Sequence, residues 1–185
     1  LRLITESGGA MPRKPKSEAE HLADTRAKVL EAALPHVTFE GWSAQVLAEA
    51  IADSGVDAGL AALAFPRGVR DLALAFHYQG DAAMQEGMAA TDLSNLRYRD
   101  RVARAIELRL EHAAAHKEAV RRGMAFFALP QYAADGAGAV WHTADAIWAA
   151  LGDTSRDVNW YTKRMTLGAV YSACVLFWLG DESPD

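Results

Sequence analysis

Apolar residues recur at helical spacing along most of the chain, and alternating strand-like patterns are missing. The first segment, 20–39, places Leu22, Val29, Leu30, Ala33 and Val37 at this spacing. Further helices are predicted from an N-cap at Ser43 to about Ala52, from Asp57 to Pro66, and over 69–90, 97–116, 117–128, 135–151 and 156–179. The sequence therefore predicts an all-α fold.

The predicted helices divide the chain into three parts. Residues 1–19, which contain Pro12 and Pro15, are predicted to be a mobile leader. Residues 20–66 follow the order of a helix-turn-helix, with a Gly-containing turn before the third helix. Residues 67–185 are predicted to form a larger C-terminal helical bundle.

Composition narrows the classes of function. With 185 residues, 51% of them hydrophobic, the chain suffices for one ordinary domain with its own core. A net charge of −5 argues against a protein whose main partner is a phosphate backbone. The single cysteine, Cys174, excludes an intrachain disulfide framework and is interpreted as a core residue. The uncharged run 165–180 is shorter than the about 20 residues of a spanning helix, so it predicts a buried core helix.

The segment DVNWYTKR, residues 157–164, places two large aromatic residues side by side among polar ones. Neighbouring helical residues point about 100° apart, so Trp160 and Tyr161 cannot easily face one core. Asp157 precedes them and Arg164 follows them at helical spacing, so an acid, a ring and a guanidinium are predicted to share one exposed face. Aromatic residues beside Arg are typical of an interface hot spot. The alternative is that one ring is core and the other caps the helix.

Motifs for catalysis or metal binding are not found in the sequence. A helical di-iron hydroxylase needs two Glu-x-x-His motifs, and only Glu18 to His21 fits that spacing. His112 and His116 share a helix face, but Ala113 stands where a zinc protease has its Glu. Three isolated histidines are interpreted as polar edge or hydrogen-bonded core residues: His36, His77 and His142. We therefore expect no catalytic residue, no metal and no cofactor.

Segment 41–72, GWSAQVLAEAIADSGVDAGLAALAFPRGVRDL, resembles the N-terminal domain of TetR-type repressors. Such repressors bind DNA through hydroxyls, a Lys and aromatic residues on the third helix. Here that helix, DAGLAALA over 57–64, carries no side chain that could neutralise phosphate or read a base edge. We expect a retained scaffold with no nucleic-acid partner. A TetR-type ligand-sensing transcriptional repressor is kept as the alternative function.

Taken together, these segments resemble the ubiquinone-biosynthesis accessory lipid-binding family, the ninth of the coenzyme Q proteins, whose members are TetR-like but do not act as repressors. The similarity covers about Lys28 to Asp185. Its specific points are Gly41-Trp42 with the altered third helix, Leu129-Pro130, Ala146-Ile147-Trp148, Gly152-Asp153, the segment 157–164 and the closing DESPD of 181–185.

The resemblance implies a non-catalytic accessory protein that binds an isoprenoid quinone intermediate and presents it to the demethoxyubiquinone hydroxylase. It implies a hydroxylase-contact patch made of Ile147, Asp157, Trp160, Tyr161 and Arg164. A homodimer is expected, because dimers are common on this scaffold.

Candidate lipid-binding residues are large apolar side chains that stand among Ala and Gly in the body helices: Phe76, Phe126, Phe127, Trp141, Met165, Phe177 and Trp178. As a hypothesis, the isoprenoid tail lies between the helices of 69–128 and 156–179, with the ring end emerging near Trp160. The alternative, an ordinary filled core, stays open for each of these residues.

The expected location follows from the same resemblance. The family pattern continues past Ser183-Pro184-Asp185 into an amphipathic helix that touches the membrane surface, whereas this chain ends at Asp185. No signal-peptide pattern follows Leu1, and Met11 is either the natural start or an internal methionine. We expect the bacterial cytoplasm, peripherally at the inner membrane, or the matrix side of the mitochondrial membrane in a eukaryote.

Overall fold

The computed structural model describes residues 17–154 and 158–182. Within these ranges it contains eight helices and no strand, so the predicted all-α fold is confirmed. The helices are α1 (Glu18–Glu40), α2 (Ala44–Ser54), α3 (Ala58–Ala64), α4 (Val69–Ala90), α5 (Tyr98–Ala114), α6 (Lys117–Phe127), α7 (Ala133–Ala150) and α8 (Val158–Gly180). The prediction for α4 is confirmed to the residue, and the other predicted ends lie within about two residues of those observed.

A capping box fixes the start of α1. The Glu20 amide donates to Ser17 Oγ at 3.3 Å, and the Ser17 amide donates to the Glu20 carboxylate at 2.6 Å. These two bonds satisfy amides that would otherwise lack partners, so the helix begins at Glu18, two residues before the predicted start. The predicted leader of 1–19 is therefore too long at its end, and its residues 1–16 lie outside the described part of the chain.

The first core joins α1, α2 and α3 to the beginning of α4 and to α6. Its buried members are Val29, Leu30, Ala33, Val37, Trp42, Val46, Ala50, Ala64, Phe65, Leu72, Ala73, Ala119 and Phe126. Trp42 adds a directional bond, because its indole Nε1 donates to the Ala119 carbonyl at 3.1 Å. The predicted domain boundary between 66 and 67 stays a prediction, and this core draws residues from both sides of it.

The second core lies between α4, α5, α7 and α8. Its buried members are Met84, Met88, Ala105, Ile106, Ala144, Ala146, Ile147, Trp148, Leu167, Tyr171, Val175 and Leu179. Because α7 packs on both α4 and α8, it is the central helix of this half. The two cores leave a space between them, which is the candidate site.

The outer face of α8 is apolar and exposed. Its exposed large side chains are Val158, Tyr161, Met165, Val170, Leu176 and Phe177. The prediction that 165–180 forms a buried core helix is therefore wrong for this face, because only the side carrying Leu167, Tyr171, Val175 and Leu179 packs on the bundle. Neither α8 nor any other helix of the described ranges combines the length and hydropathy needed to cross a membrane.

The short helix α3 depends on its N-cap. The Asp57 carboxylate accepts from the amides of Gly59 at 2.9 Å and Leu60 at 3.1 Å. We expect Asp57→Ala to lower the free energy of unfolding by about 1 kcal/mol, because both amides lose their partner. Chemical denaturation measures this, with Asp57→Asn as the control that keeps a capping oxygen. Equal stabilities of the two variants would contradict the assigned cap.

Candidate ligand cavity and partner surface

Three aromatic rings meet where α8 begins. The Trp160 ring lies 5.6 Å from Trp141 and 4.7 Å from Tyr161, and Trp141 lies 6.2 Å from Tyr161, between ring centroids. Tyr161 is 61% exposed, whereas Trp160 is half-buried. Both rings are thus accessible from one surface, with Trp141 of α7 beneath them.

Arg164 does not belong to this exposed surface. It is only 4% exposed, and its Nε donates to Asp145 Oδ1 at 2.6 Å. Its Nη1 reaches Asp153 Oδ2 at 3.4 Å and the Trp160 carbonyl at 3.2 Å, and its guanidinium carbon lies 4.0 Å from the centre of the Trp160 ring. The prediction that Arg164 lies on an exposed face is wrong, because two carboxylates on and after α7 draw it inward. It holds Trp160 in place from below.

The two remaining residues of the predicted contact patch have different outcomes. Ile147 is completely buried in the second core. Its side chain is therefore not available to a partner, contrary to the prediction. The face of α7 that carries Ile147 packs on the bundle interior. Asp157 lies outside the described residues.

A cavity of about 580 Å³ lies between the two cores. Large side chains of α4 to α8, with Trp42, make up much of its lining: Phe76, His77, Arg109, Val120, Met124, Phe127, Val140, Trp141, Arg164, Met165, Tyr171, Val175 and Trp178. Its size lies within the range of about 300–1,000 Å³ that is common for small-molecule pockets. The lining is mainly apolar, which suits an apolar ligand.

Five of the seven predicted lipid-binding residues line this cavity, namely Phe76, Phe127, Trp141, Met165 and Trp178. Met165 is also 66% exposed, so it lies at the cavity mouth, at the edge of the outer face of α8. Phe126 instead packs in the first core, where it stacks on Tyr132 with centroids 4.2 Å apart. Phe177 is 77% exposed, because it points away from the bundle while the adjacent Trp178 points inward. The predictions for Phe126 and Phe177 as lining residues are therefore wrong.

A polar cluster of α4, α5 and α7 reaches the cavity wall through His77 and Arg109. Asp81 Oδ1 accepts from Arg109 Nε and from the Thr143 hydroxyl, each at 2.9 Å, and Asp81 Oδ2 lies 2.8 Å from His142 Nδ1. His77 Nε2 lies 2.7 Å from Thr143 Oγ1 and 3.0 Å from the Ala139 carbonyl. Since the Thr143 hydroxyl proton goes to Asp81, His77 donates through Nε2, and its Nδ1 is left as the acceptor.

His77 is neutral at neutral pH. Burial lowers its pKa to about 4, and the nearby Arg109 charge acts in the same direction against the opposing effect of Asp81. His77 is hydrogen-bonded and partly exposed to the cavity, so it lies between the two interpretations made from the sequence, polar edge and hydrogen-bonded core. It is not isolated, because His142 joins the same cluster.

Sequence reasoning did not identify Asp81 and Arg109 as members of a site. The sequence did contain a signal for the site. Asp81 shares the helical spacing of the buried apolar residues Leu74, Met84 and Met88 on α4. Arg109 stands likewise with Ala105, Ile106 and Ala113 on α5. A charge at such a position implies a buried partner or a site.

One group of the described residues has metal-ligand spacing, with ligand atoms of His36, Glu40 and Glu49 within 4.8 Å of one another. It lies at the surface between α1 and α2. His36 Nε2 also lies 2.8 Å from Asp53 Oδ2, and this hydrogen bond raises the pKa of His36. Ion pairs between the two helices account for the group, and the expectation of no metal stays a prediction.

The fold and the cavity define the structural class: an all-α bundle with a largely apolar cavity between its two cores. Residues 133–185 match the model of the COQ9 family. The resemblance seen in the sequence is therefore confirmed, and the chain is related to COQ9 proteins.

Curated relatives extend the similarity over most of the chain. The ubiquinone biosynthesis protein COQ9, mitochondrial, of Drosophila melanogaster is 33% identical over 165 residues, covering 86% of this chain and 50% of the relative. The Homo sapiens protein of the same name is 28% identical over 188 residues, covering 98% and 58%. That of Xenopus tropicalis is 30% identical over 169 residues, covering 85% and 52%. The chain thus spans about half the length of the curated relatives it matches.

The lowered pKa of His77 predicts a pH dependence of stability. Between the ordinary value of about 6.5 and the folded value of about 4, the unfolded chain binds a proton that the folded chain does not. The free energy of unfolding should therefore fall as the pH is lowered through this range, by about 3 kcal/mol from this group. Denaturant titrations of wild type and His77→Gln, whose amide can replace the Nε2 donor, test this. Equal slopes against pH in both proteins would contradict the assignment.

Proposed function

We propose that this protein acts in ubiquinone biosynthesis as a non-catalytic accessory protein that binds an isoprenoid quinone intermediate and presents it to the demethoxyubiquinone hydroxylase. The observation that carries the proposal is the apolar cavity between the two cores, in a chain related to proteins named for ubiquinone biosynthesis. No cofactor takes part in this role.

The cavity suits an isoprenoid tail. Its walls are mostly aliphatic and aromatic, so each methylene transferred from water gains about 0.8 kcal/mol. A tail of several isoprene units is thereby kept out of water while it is outside the membrane. The tail lies between α4–α6 and α8, which is the placement inferred from the sequence.

The hydroxylase surface is centred on Trp160 and Tyr161. Trp141 connects this surface to the cavity, because it lines the cavity and also packs against both rings. A hydroxylase seated there lies within one side chain of the bound lipid. Arg164 supports the Trp160 ring from its buried side, and Asp157, which lies outside the described residues, stays part of the proposed patch.

A homodimer forms through the exposed apolar stripe of α8. Val170, Leu176 and Phe177 lie on its outer face, and a two-fold axis would cover the stripe with its own copy. This leaves Tyr161, nearer the start of α8, for the hydroxylase. The protein acts at the surface of the quinone-containing membrane, which is the bacterial inner membrane or the matrix side of the mitochondrial one.

The partner surface is tested with Trp160→Ala and Tyr161→Ala in a pull-down of purified demethoxyubiquinone hydroxylase. We expect Trp160→Ala to weaken retention about thirtyfold, as for an interface hot spot of about 2 kcal/mol. Phe39→Ala, which removes an 80% exposed ring on α1, should leave retention unchanged. Circular dichroism checks that helicity is kept.

Unchanged hydroxylase affinity in both α8 variants would refute the assigned surface. Arg164→Glu is not a suitable contact variant, because it would place a third carboxylate beside Asp145 and Asp153 and destabilise the fold.

Lipid binding is tested by filling the cavity. Ala137 lines the cavity yet is exposed, so Ala137→Trp should fold and occupy the ligand space. Native mass spectrometry after purification from a quinone-producing host should find isoprenoid lipid on wild type and much less on this variant. Ala134→Trp, on the same helix but outside the lining, is the control. Absence of isoprenoid lipid from wild type would overturn the cavity assignment.

A further inference from the structure

Arg109 is a buried cation that the protein satisfies only in part. The residue is 5% exposed but lines the cavity. Its Nε donates to Asp81 Oδ1 and its Nη2 donates to the His77 carbonyl, both at 2.9 Å. Its Nη1 makes no hydrogen bond to a residue of the described ranges. Because Arg109 lines the cavity, its Nη1 can donate to an oxygen of a ligand bound there.

The position of this guanidinium is built into the fold. A side chain at Gly80 would overlap the guanidinium group, so only glycine lets it lie across α4 at this point. Asp81, the next residue, supplies the carboxylate, and Thr143 of α7 holds that carboxylate from the other side. Three helices therefore aim Arg109 along the cavity wall.

The charges around the cavity select the kind of ligand. Asp81 balances Arg109, and Asp145 and Asp153 balance Arg164. His77 adds no charge, because its pKa lies far below neutrality. An anionic head group would lose its hydration in the cavity, and the cations there are already neutralised by carboxylates. A neutral oxygen acceptor costs much less to desolvate and can still accept a hydrogen bond from the charged guanidinium.

We propose that Arg109 anchors the head group of the cavity ligand, with Nη1 donating to a carbonyl or ether oxygen of a neutral amphiphile such as an isoprenoid quinone ring. This rests on the proposed function of the cavity. It places the ring at Arg109 and His77, inside the bundle, rather than near Trp160 as the sequence suggested. Withdrawal of the ring toward Trp160 then accompanies transfer to the hydroxylase.

The test compares ligands that share a tail but differ in the head group. Displacement of the neutral dye Nile red from the full chain gives the affinities of a short-chain ubiquinone, an isoprenoid hydrocarbon of matched length and a long-chain fatty acid. Asp81→Asn with Arg109→Gln removes both charges together, so that no buried charge is left unpaired. Gly80→Ala keeps both charges but shifts the guanidinium, including its contact with Asp81, so thermal unfolding is measured beside it. Gly87→Ala, which would meet Leu108 at 3.1 Å, is the matched control on α4.

We expect the quinone to bind wild type more tightly than the hydrocarbon or the fatty acid. The double variant and Gly80→Ala should lose about tenfold in quinone affinity, as for a lost bond to a charged donor, with hydrocarbon affinity and the Gly87→Ala protein unchanged. Equal losses for quinone and hydrocarbon would reduce Arg109 to a structural role and overturn the proposal. Tighter binding of the fatty acid than of the quinone, or equal quinone affinity in all proteins, would overturn it as well. If no ligand displaces the dye from wild type, the proposed lipid function fails, and this inference fails with it.

Discussion

The buried ion pair between Asp81 and Arg109 holds the ligand-facing half of the molecule together. Removing two charges from water is costly, and the pair persists because Thr143 and His142 also hydrogen-bond to the carboxylate. The cluster thereby ties α4, α5 and α7 to one another. These directional bonds and the apolar packing of the second core together fix the separation of the helices. The cavity is the space that this fixed frame leaves unfilled.

The N-terminal helices contribute to the same cavity. Trp42, between α1 and α2, lines the cavity and donates to the Ala119 carbonyl of α6. The third helix, which would contact DNA in a repressor, carries no basic side chain. This part of the chain therefore contributes to the cavity wall through Trp42, and its charge balance is acidic.

Much of the fold could be predicted because its signals are local. Ser43 and Asp57 cap α2 and α3 as read from the sequence, and the apolar spacing gave α4 its two ends. The site was harder to predict, because periodicity shows which residues share a helix face but not what that face packs against. Arg164 looked exposed since its partners, Asp145 and Asp153, come from α7 and the segment after it. Adjacent aromatic residues such as Phe177 and Trp178 look alike in sequence, yet one faces outward and the other the cavity.

The placement of indole rings has a consequence for studying this protein. Of its five tryptophans, Trp42, Trp141 and Trp178 line the cavity, and Trp160 touches Trp141. Indole emission responds to the polarity around the ring and is quenched by nearby electron acceptors such as quinones. Intrinsic fluorescence therefore reports directly whether an added quinone enters the cavity, without any attached dye.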